Sequence, residues 1–184
     1  MKRVALALLV ACLTTHASAA DCTASQTLHS VTVKDAERRF ALANDGSPQI
    51  FYYRPGSSPK RWLLWLEGGA LCSDQAACDQ RWALAKYWMS STSRPATQCS
   101  EGWWDTDAAV SPFSDFNVVY MPYLTSDLYF GNASAAESGL SYQFRGRAAL
   151  TAVVEDMLKG FTDPTDSSKT VSIPDGASIV MAGG

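Results

Sequence analysis

The chain has 184 residues, of which 47% are apolar and 18% charged, a balance that fits one globular domain with a real core and excludes a disordered polypeptide. Its formal net charge is −3, from 15 Lys plus Arg against 18 Asp plus Glu, so no basic surface awaits a phosphate backbone and nucleic acid is not an expected partner. No apolar run reaches the roughly 20 residues that a membrane-spanning helix needs, so no transmembrane segment is expected.

Residues 1–20 read as a secretory signal peptide. Lys2 and Arg3 form a basic start, Val4 to Leu13 is the apolar run VALALLVACL, and ASAA offers small residues for cleavage after Ala19 or Ala20. Its removal takes Lys plus Arg from 15 to 13 and the net charge from −3 to −5. Cys12 and His16 leave with it. Cys22, Cys72, Cys78 and Cys99 remain, an even number that favours disulfides in an exported chain. His29 is then the last histidine, and it lies in TLHSVTV, whose alternation predicts a strand near the mature N-terminus. A histidine there reads as a surface or half-buried strand residue rather than a catalyst.

NDGSP (44–48) is a turn signal, followed by the aromatic strand QIFYYRP (49–55) and a second turn, GSSPK (56–60), which together read as a hairpin or tight strand connection. RWLLWLEGG (61–69) is the strongest strand. Its unbroken apolar run predicts burial on both faces, as in the centre of a parallel sheet. It runs into Gly68 and Gly69, so it delivers backbone rather than side chains to what lies beyond. A helix is expected over Cys78–Ser90, with Leu84, Tyr87 and Trp88 on one stripe, and then an irregular stretch to Asp115. NVVYMPY (117–123) is the next buried strand, closed by Pro122 and a polar loop. Leu150, Val153, Val154, Met157 and Leu158 follow helical spacing, with Gly160 as the stop. SIVMAGG (178–184) supplies a third strong strand. Strand, helix, strand, helix, strand predicts an α/β fold with a mostly parallel central sheet and flanking helices, in one domain.

In such folds ligands gather at the carboxyl ends of the strands. Two of these ends are glycine-paired, Gly68-Gly69 and Gly183-Gly184. A serine hydrolase needs two features there: a nucleophile elbow of the form G-x-S-x-G, and an oxyanion loop that follows an earlier strand. MAGG alone also fits a plain turn after a core strand, or the opening of a dinucleotide-binding fingerprint. Glu67 could pass for a catalytic acid, but it reads better as a carboxylate that accepts loop N–H groups and fixes the turn. No histidine is available to join the cysteines in a zinc site. Asn132-Ala133-Ser134 is an N-glycosylation sequon, with Asn132 the acceptor.

NDGSPQIFYYRPGSSPKRWLLWLEGGALCSDQAACDQRW, then YWMSSTSRP, then NVVYMPYLTSDLYFGNAS resembles, in order and spacing, the pectin acetylesterase family, which includes the secreted carboxylesterase Notum. The resemblance covers roughly Asn44 to Gly184 and implies an α/β-hydrolase fold with a Ser, Asp, His triad. The family's serine stands in a string similar to AGGSSAG or AGSSAGG, so Gly183 and Gly184 match the approach to the elbow and the triad lies beyond Gly184. His29 matches no part of it. Residues 21–184 are then the N-terminal part of a single α/β-hydrolase domain, truncated at the nucleophile elbow.

The same resemblance assigns the oxyanion-hole backbone to Gly69 and Ala70, with Ala70 standing where Notum has a tryptophan. It implies a Cys72–Cys78 bridge closing the SDQAA loop. Relatives tend to carry cysteines where this chain has Ala43 and Leu124, as expected for loss of one bridge; Cys22 and Cys99 are candidates for a replacement, their connectivity left open. Thr125, Ser126 and Asp127 leave the NVVYMPY strand on the glycine side and read either as a substrate rim or as an ordinary surface loop. The implied activity is ester hydrolysis on an acetylated polysaccharide or an acylated protein or lipid, without metal or cofactor, by an exported protein whose 184-residue stretch is inactive alone. The alternative is a secreted non-catalytic binding protein for carbohydrate or lipid.

Overall fold

A computed structural model describes residues 22–184, so the signal-peptide reading of residues 1–20, with Cys12 and His16, lies outside the described residues. The strands are β1 (Thr27–Thr32), β2 (Ile50–Arg54), β3 (Arg61–Leu66), β4 (Thr97–Cys99), β5 (Asn117–Met121), β6 (Phe161–Asp163), β7 (Asp166–Val171) and β8 (Ser178–Gly183). The α-helices are α1 (Gln75–Ala85), α2 (Ala135–Ser138) and α3 (Gly146–Lys159). Among the described residues no helix is long and apolar enough to cross a membrane.

Six strands form one sheet in the order β4-β1-β2-β5-β3-β8. β3 runs parallel to both β5 and β8, whereas β1 is antiparallel to β4 and β2, and β2 is antiparallel to β5. The sheet is therefore mixed, which corrects the expectation of a mostly parallel one. Every residue of β2 is buried, so its sequence lacks the one-sided alternation that marks many antiparallel strands. Nor do β2 and β3 form a hairpin, because β5 lies between them. The reason is visible at Asn117, whose Nδ2 donates to the carbonyls of Ser58 (2.8 Å) and Arg61 (3.1 Å), while its Oδ1 accepts the Gly56 N–H (3.1 Å). The 56–60 turn thus arches over the start of β5.

Side chains alternate between two cores, as the two-residue period of strands requires. On one face Phe51, Tyr53, Trp62, Leu64, Val119 and Met121 pack against Ala149, Val153 and Met157 of α3. On the other, Tyr52, Leu63, Val118, Tyr120 and Leu124 join Leu28 and Ala43. The run WLLWL therefore has both faces covered at Trp62, Leu63 and Leu64, as its composition predicts.

Two helix stripes differ from expectation. α1 starts earlier, at Gln75, where the Asp74 carboxylate accepts the Ala77 N–H (2.9 Å), and it ends at Ala85 before a 3-10 turn over Lys86–Trp88. Leu84 is 79% exposed and Cys78 is the buried residue of α1, so a covalent tether rather than an apolar stripe fixes this helix. In α3 the stripe holds through Val153 and Met157, but Leu158 is 54% exposed. The β6–β7 hairpin, polar apart from Phe161 and Val171, follows α3; Phe161 packs edge-on against Phe51 and Tyr53 at ring separations of 5.0 and 5.1 Å.

α3 also buries a charge. Asp156, 4% exposed, accepts the Lys34 N–H (2.9 Å) and pairs with Arg39 Nη1 (2.5 Å), and Arg39 also donates to the Ala152 and Lys34 carbonyls. This ties the 33–40 turn to the helix. Replacing Asp156 by Ala strands the guanidinium, so Asp156→Ala is expected to lose about 3 kcal/mol in urea denaturation. A loss below about 0.5 kcal/mol would place this pair with ordinary surface ion pairs.

Candidate active site

The parallel pairing of β3 with β8 puts Leu66 opposite Gly183, and the next step of the ladder is the Gly68 N–H donated to the Gly184 carbonyl at 2.7 Å. The two glycine pairs therefore lie side by side at one end of the sheet. Neither Gly68 nor Gly69 has room for a side chain: a Cβ on Gly68 would stand 2.6 Å from the Gly184 oxygen, and one on Gly69 2.7 Å from the Tyr123 ring. Beyond them the exposed backbone of Gly69, Ala70 and Leu71 presents three successive N–H groups that make no hydrogen bond among the described residues. Pairing resumes at Cys72, whose N–H donates to the Ser126 carbonyl (3.3 Å). A cavity of about 210 Å³ opens here, walled by Leu66, Glu67, Gly69, Tyr123, Leu128 and Gly183.

Glu67 anchors this end of the sheet. Its Oε1 accepts from Trp88 Nε1 and Arg94 Nη1, both at 3.2 Å; its Oε2 accepts the Tyr123 N–H (2.8 Å) and pairs with Arg94 Nη2. The Arg94 side chain is fully buried, with its guanidinium 3.7 Å from the centre of the Tyr87 ring. Burial pushes the Arg94 pKa down, but the charge and hydrogen bonds of Glu67 outweigh it and leave the group raised. The Glu67 carbonyl in turn accepts the Tyr129 hydroxyl (2.9 Å). Glu67 is thus a structural carboxylate with its acceptor sites occupied, as expected, but its donors are Arg94, Trp88 and the Tyr123 N–H rather than the N–H groups of the glycine turn that follows it.

The loop after β5 closes the other side. Ser126, Leu128 and Tyr129 have positive φ of 52°, 56° and 62°, a conformation costing on the order of 1–3 kcal/mol for each such residue. Side chains hold it there. Ser126 Oγ donates to Asn44 Oδ1 (2.6 Å) and accepts from Arg81 Nε (2.9 Å), and the Leu128 N–H donates to the Tyr123 hydroxyl (2.6 Å). Asp127 accepts from the Thr125 hydroxyl, the Tyr129 N–H and the Gly146 N–H at the start of α3. Burial raises the Asp127 pKa, and those hydrogen bonds oppose the rise.

Thr125 and Ser126 are themselves buried. Of the three residues expected at the rim, these two work from beneath the loop, and Leu128 and Tyr129 face the cavity instead. Arg81 also lies under the glycine loop, its buried Nη2 3.5 Å from where a Gly69 Cβ would be and without a hydrogen-bond partner among the described residues. Desolvation lowers its pKa.

Cys72 and Cys78 form a disulfide that joins the glycine loop to α1, and Cys22 pairs with Cys99. Ala43 and Leu124 are fully buried in one cluster, with the Asn44 N–H donated to the Leu124 carbonyl (2.9 Å), so these two chain positions are neighbours. Asn132 is exposed. His29 is half-buried on β1, opposite Tyr53 and Thr97 and three strands from β3. Among the described residues no His, Cys, Asp and Glu are grouped to hold a metal ion. Trp88, Arg94, Asn44 and Arg81 were not legible as parts of this region: each reaches it through a contact across at least 21 residues of sequence, with no local motif.

Three strands whose parallel carboxyl ends open into a glycine-lined loop and cavity have the arrangement of an α/β enzyme. The chain matches the family described as Pectinacetylesterase over residues 22–167 and belongs to that family. It is 34% identical over 116 residues to palmitoleoyl-protein carboxylesterase NOTUM of Homo sapiens, a match covering 62% of this chain and 23% of that protein. It is 31% identical over 138 residues to palmitoleoyl-protein carboxylesterase notum1a of Danio rerio, covering 74% of this chain and 27% of the relative. The chain thus spans about a quarter of the length of these two relatives. It is also 29% identical over 112 residues to inactive palmitoleoyl-protein carboxylesterase notum1b of Danio rerio, where the match covers 60% of this chain and 81% of the relative. The family is one of carboxylesterases, hydrolases of ester bonds.

Because Arg94 pairs with no other carboxylate among the described residues, Glu67→Ala is expected to cost about 3–5 kcal/mol in chemical denaturation. Gly69→Ala, which drives a methyl into Tyr123, should cost about 1–3 kcal/mol. An Ala at 69 tolerated without loss would mean that the loop moves freely over the Tyr123 ring.

Proposed function

We propose that the chain is the N-terminal part of an exported serine carboxylesterase, in which the backbone N–H groups of Gly69 and Ala70 form the oxyanion hole and Gly183-Gly184 lead into the nucleophile elbow. The observation that carries this reading is the row of N–H groups at Gly69 and Ala70, unpaired among the described residues, which begins at a cavity lined by Gly69 together with Gly183 at the end of β8. Export is supported by the basic and apolar N-terminal segment and by two disulfides.

In the proposed mechanism the serine follows Gly184, and the aspartate and histidine of the triad also come from outside these 184 residues. The histidine takes the serine proton as Oγ attacks the ester carbonyl. The oxygen of the tetrahedral intermediate carries the negative charge and accepts hydrogen bonds from Gly69 and Ala70. Collapse expels the alcohol, which receives the proton from the histidine. Water activated by the same base then releases the acid from the acyl-enzyme. No metal or organic cofactor enters these steps. Of the two substrate classes, the acetyl ester of a polysaccharide is preferred, in line with the family description, over the acylated protein named for its Notum relatives.

A second reading is a non-catalytic binding protein. It is favoured by the relative named as inactive, most of whose length this chain covers. The two readings separate on activity. With p-nitrophenyl acetate the 184-residue chain is expected to show no turnover above background. A burst followed by steady release would place the nucleophile within it and overturn the assignment. The chain extended by its own continuation should hydrolyse the ester if serine follows Gly184; silence of that product would favour the binding protein. In the active product Ala70→Pro removes one N–H donor and should lower kcat by roughly 10²–10³-fold with unchanged thermal melting.

A further inference from the structure

Arg81 is the charged group at this end of the sheet to which the proposed chemistry gives no part. It stands on α1, and its guanidinium reaches beneath the glycine loop, where Nε donates to Ser126 Oγ (2.9 Å) and the group lies 5.8 Å from the centre of the Tyr123 ring. Nη2 is buried without a hydrogen-bond partner among the described residues, 3.5 Å from where a Gly69 Cβ would stand. The guanidinium thus approaches the loop through the space that Gly69 leaves without a side chain.

Its charge has no counterpart. Arg39, Arg61, Arg94 and Arg145 each pair with a carboxylate, whereas among the described residues none pairs with Arg81. The carboxylates of the surrounding elements are engaged elsewhere: Glu67 by Arg94, Asp127 by Thr125 and two N–H groups, and Asp79 by Gln75 and Tyr142. Arg54, likewise buried without an ion pair, donates to the Pro55 and Trp104 carbonyls instead.

Desolvation lowers the Arg81 pKa, but an arginine keeps its proton, so the group stays a cation. A cation taken out of water without an anion costs stability. If bracing Ser126 were all that Arg81 did, an uncharged donor such as glutamine would serve without that cost. The N–H groups of Gly69 and Ala70 are unpaired in the same loop. A full positive charge held behind two such dipoles strengthens their attraction for negative charge and needs no rearrangement to do so.

We infer that Arg81 is a positioning residue of the oxyanion hole, whose uncompensated guanidinium beneath Gly69 adds its field to the backbone donors and draws the developing negative charge toward them. This rests on the proposed serine esterase. The test compares Arg81→Gln, whose amide ends where Nε stands and so keeps a donor for Ser126 Oγ, with Arg81→Lys, which restores the charge without the fork. In the chain extended by its own continuation, with p-nitrophenyl acetate, Arg81→Gln is expected to lower kcat about ten- to a hundredfold, with KM within about twofold of wild type. Arg81→Lys should recover most of that loss. The 184-residue Arg81→Gln chain should melt at the wild-type temperature or above it, because it sheds a desolvated charge. In the wild-type 184-residue chain the amide NMR signals of Gly69 and Ala70 are expected to shift saturably as sodium bromide is added at fixed ionic strength, and Arg81→Gln to lose most of that response.

Melting of Arg81→Gln several degrees below wild type would make Arg81 a brace of the loop and overturn the inference. So would an unchanged kcat, or a bromide response that is absent in wild type or equal in the variant. An extended chain without esterase activity would count against the esterase reading alone. The bromide response, which needs no nucleophile, then decides for or against the charge at Arg81.

Discussion

Taking a carboxylate and a guanidinium out of water costs several kcal/mol per ion, and only close geometry with further hydrogen bonds offsets it. The Glu67–Arg94 pair meets that condition by drawing on the whole rim. Trp88 arrives from the turn after α1, Arg94 from the irregular stretch, Tyr123 from the end of β5, and Tyr129 from the strained loop. Burial and then the negative charge of Glu67 raise the pKa of Tyr120 and Tyr129, so their hydroxyls stay protonated donors. The glycines that follow Glu67 start from a point fixed in three dimensions.

Around that fixed point the molecule sets an over-determined loop against an open one. Residues 125–131 accept three positive φ values, and buried polar groups from Asn44, Arg81, Tyr123 and Asp127 hold them there. Residues 69–71 leave their N–H groups unpaired among the described residues. Their path is set instead by contact with Tyr123, by the ladder to Gly184 and by the disulfide at Cys72. Unsatisfied donors on a braced backbone fit the oxyanion hole proposed above.

The parts legible in the sequence were those with a local physical signature. Continuous apolarity marked β3 and β5, spacing marked most of α3, and paired glycines marked where β3 and β8 end. Antiparallel pairing of β2 was not legible, because IFYYR is buried on both faces and shows no alternation. The insertion of β5 between β2 and β3 rests on long-range ladders to both strands and on the Asn117 amide bonding a turn about sixty residues earlier, none of which has a local signature. The stripe expected on α1 failed at Leu84 because the Cys78 tether overrides weak amphipathicity. Glu67 was readable as a buried acceptor, but its partner Arg94 sits in a Ser- and Thr-rich stretch with nothing to mark it.

Gly69 and Ala70 are neighbours under opposite constraints. At Gly69 any side chain collides with Tyr123, whereas the methyl of Ala70 points away from that packing into solvent, and Leu71 beside it is 56% exposed. Positions 70 and 71 can therefore change side chain without touching the packing that fixes Gly69, while the peptide units between Gly69 and Cys72 keep their course. The loop confines mutational drift to side chains that lean outward, so the surface beside the glycines can change character without rebuilding the backbone beneath it.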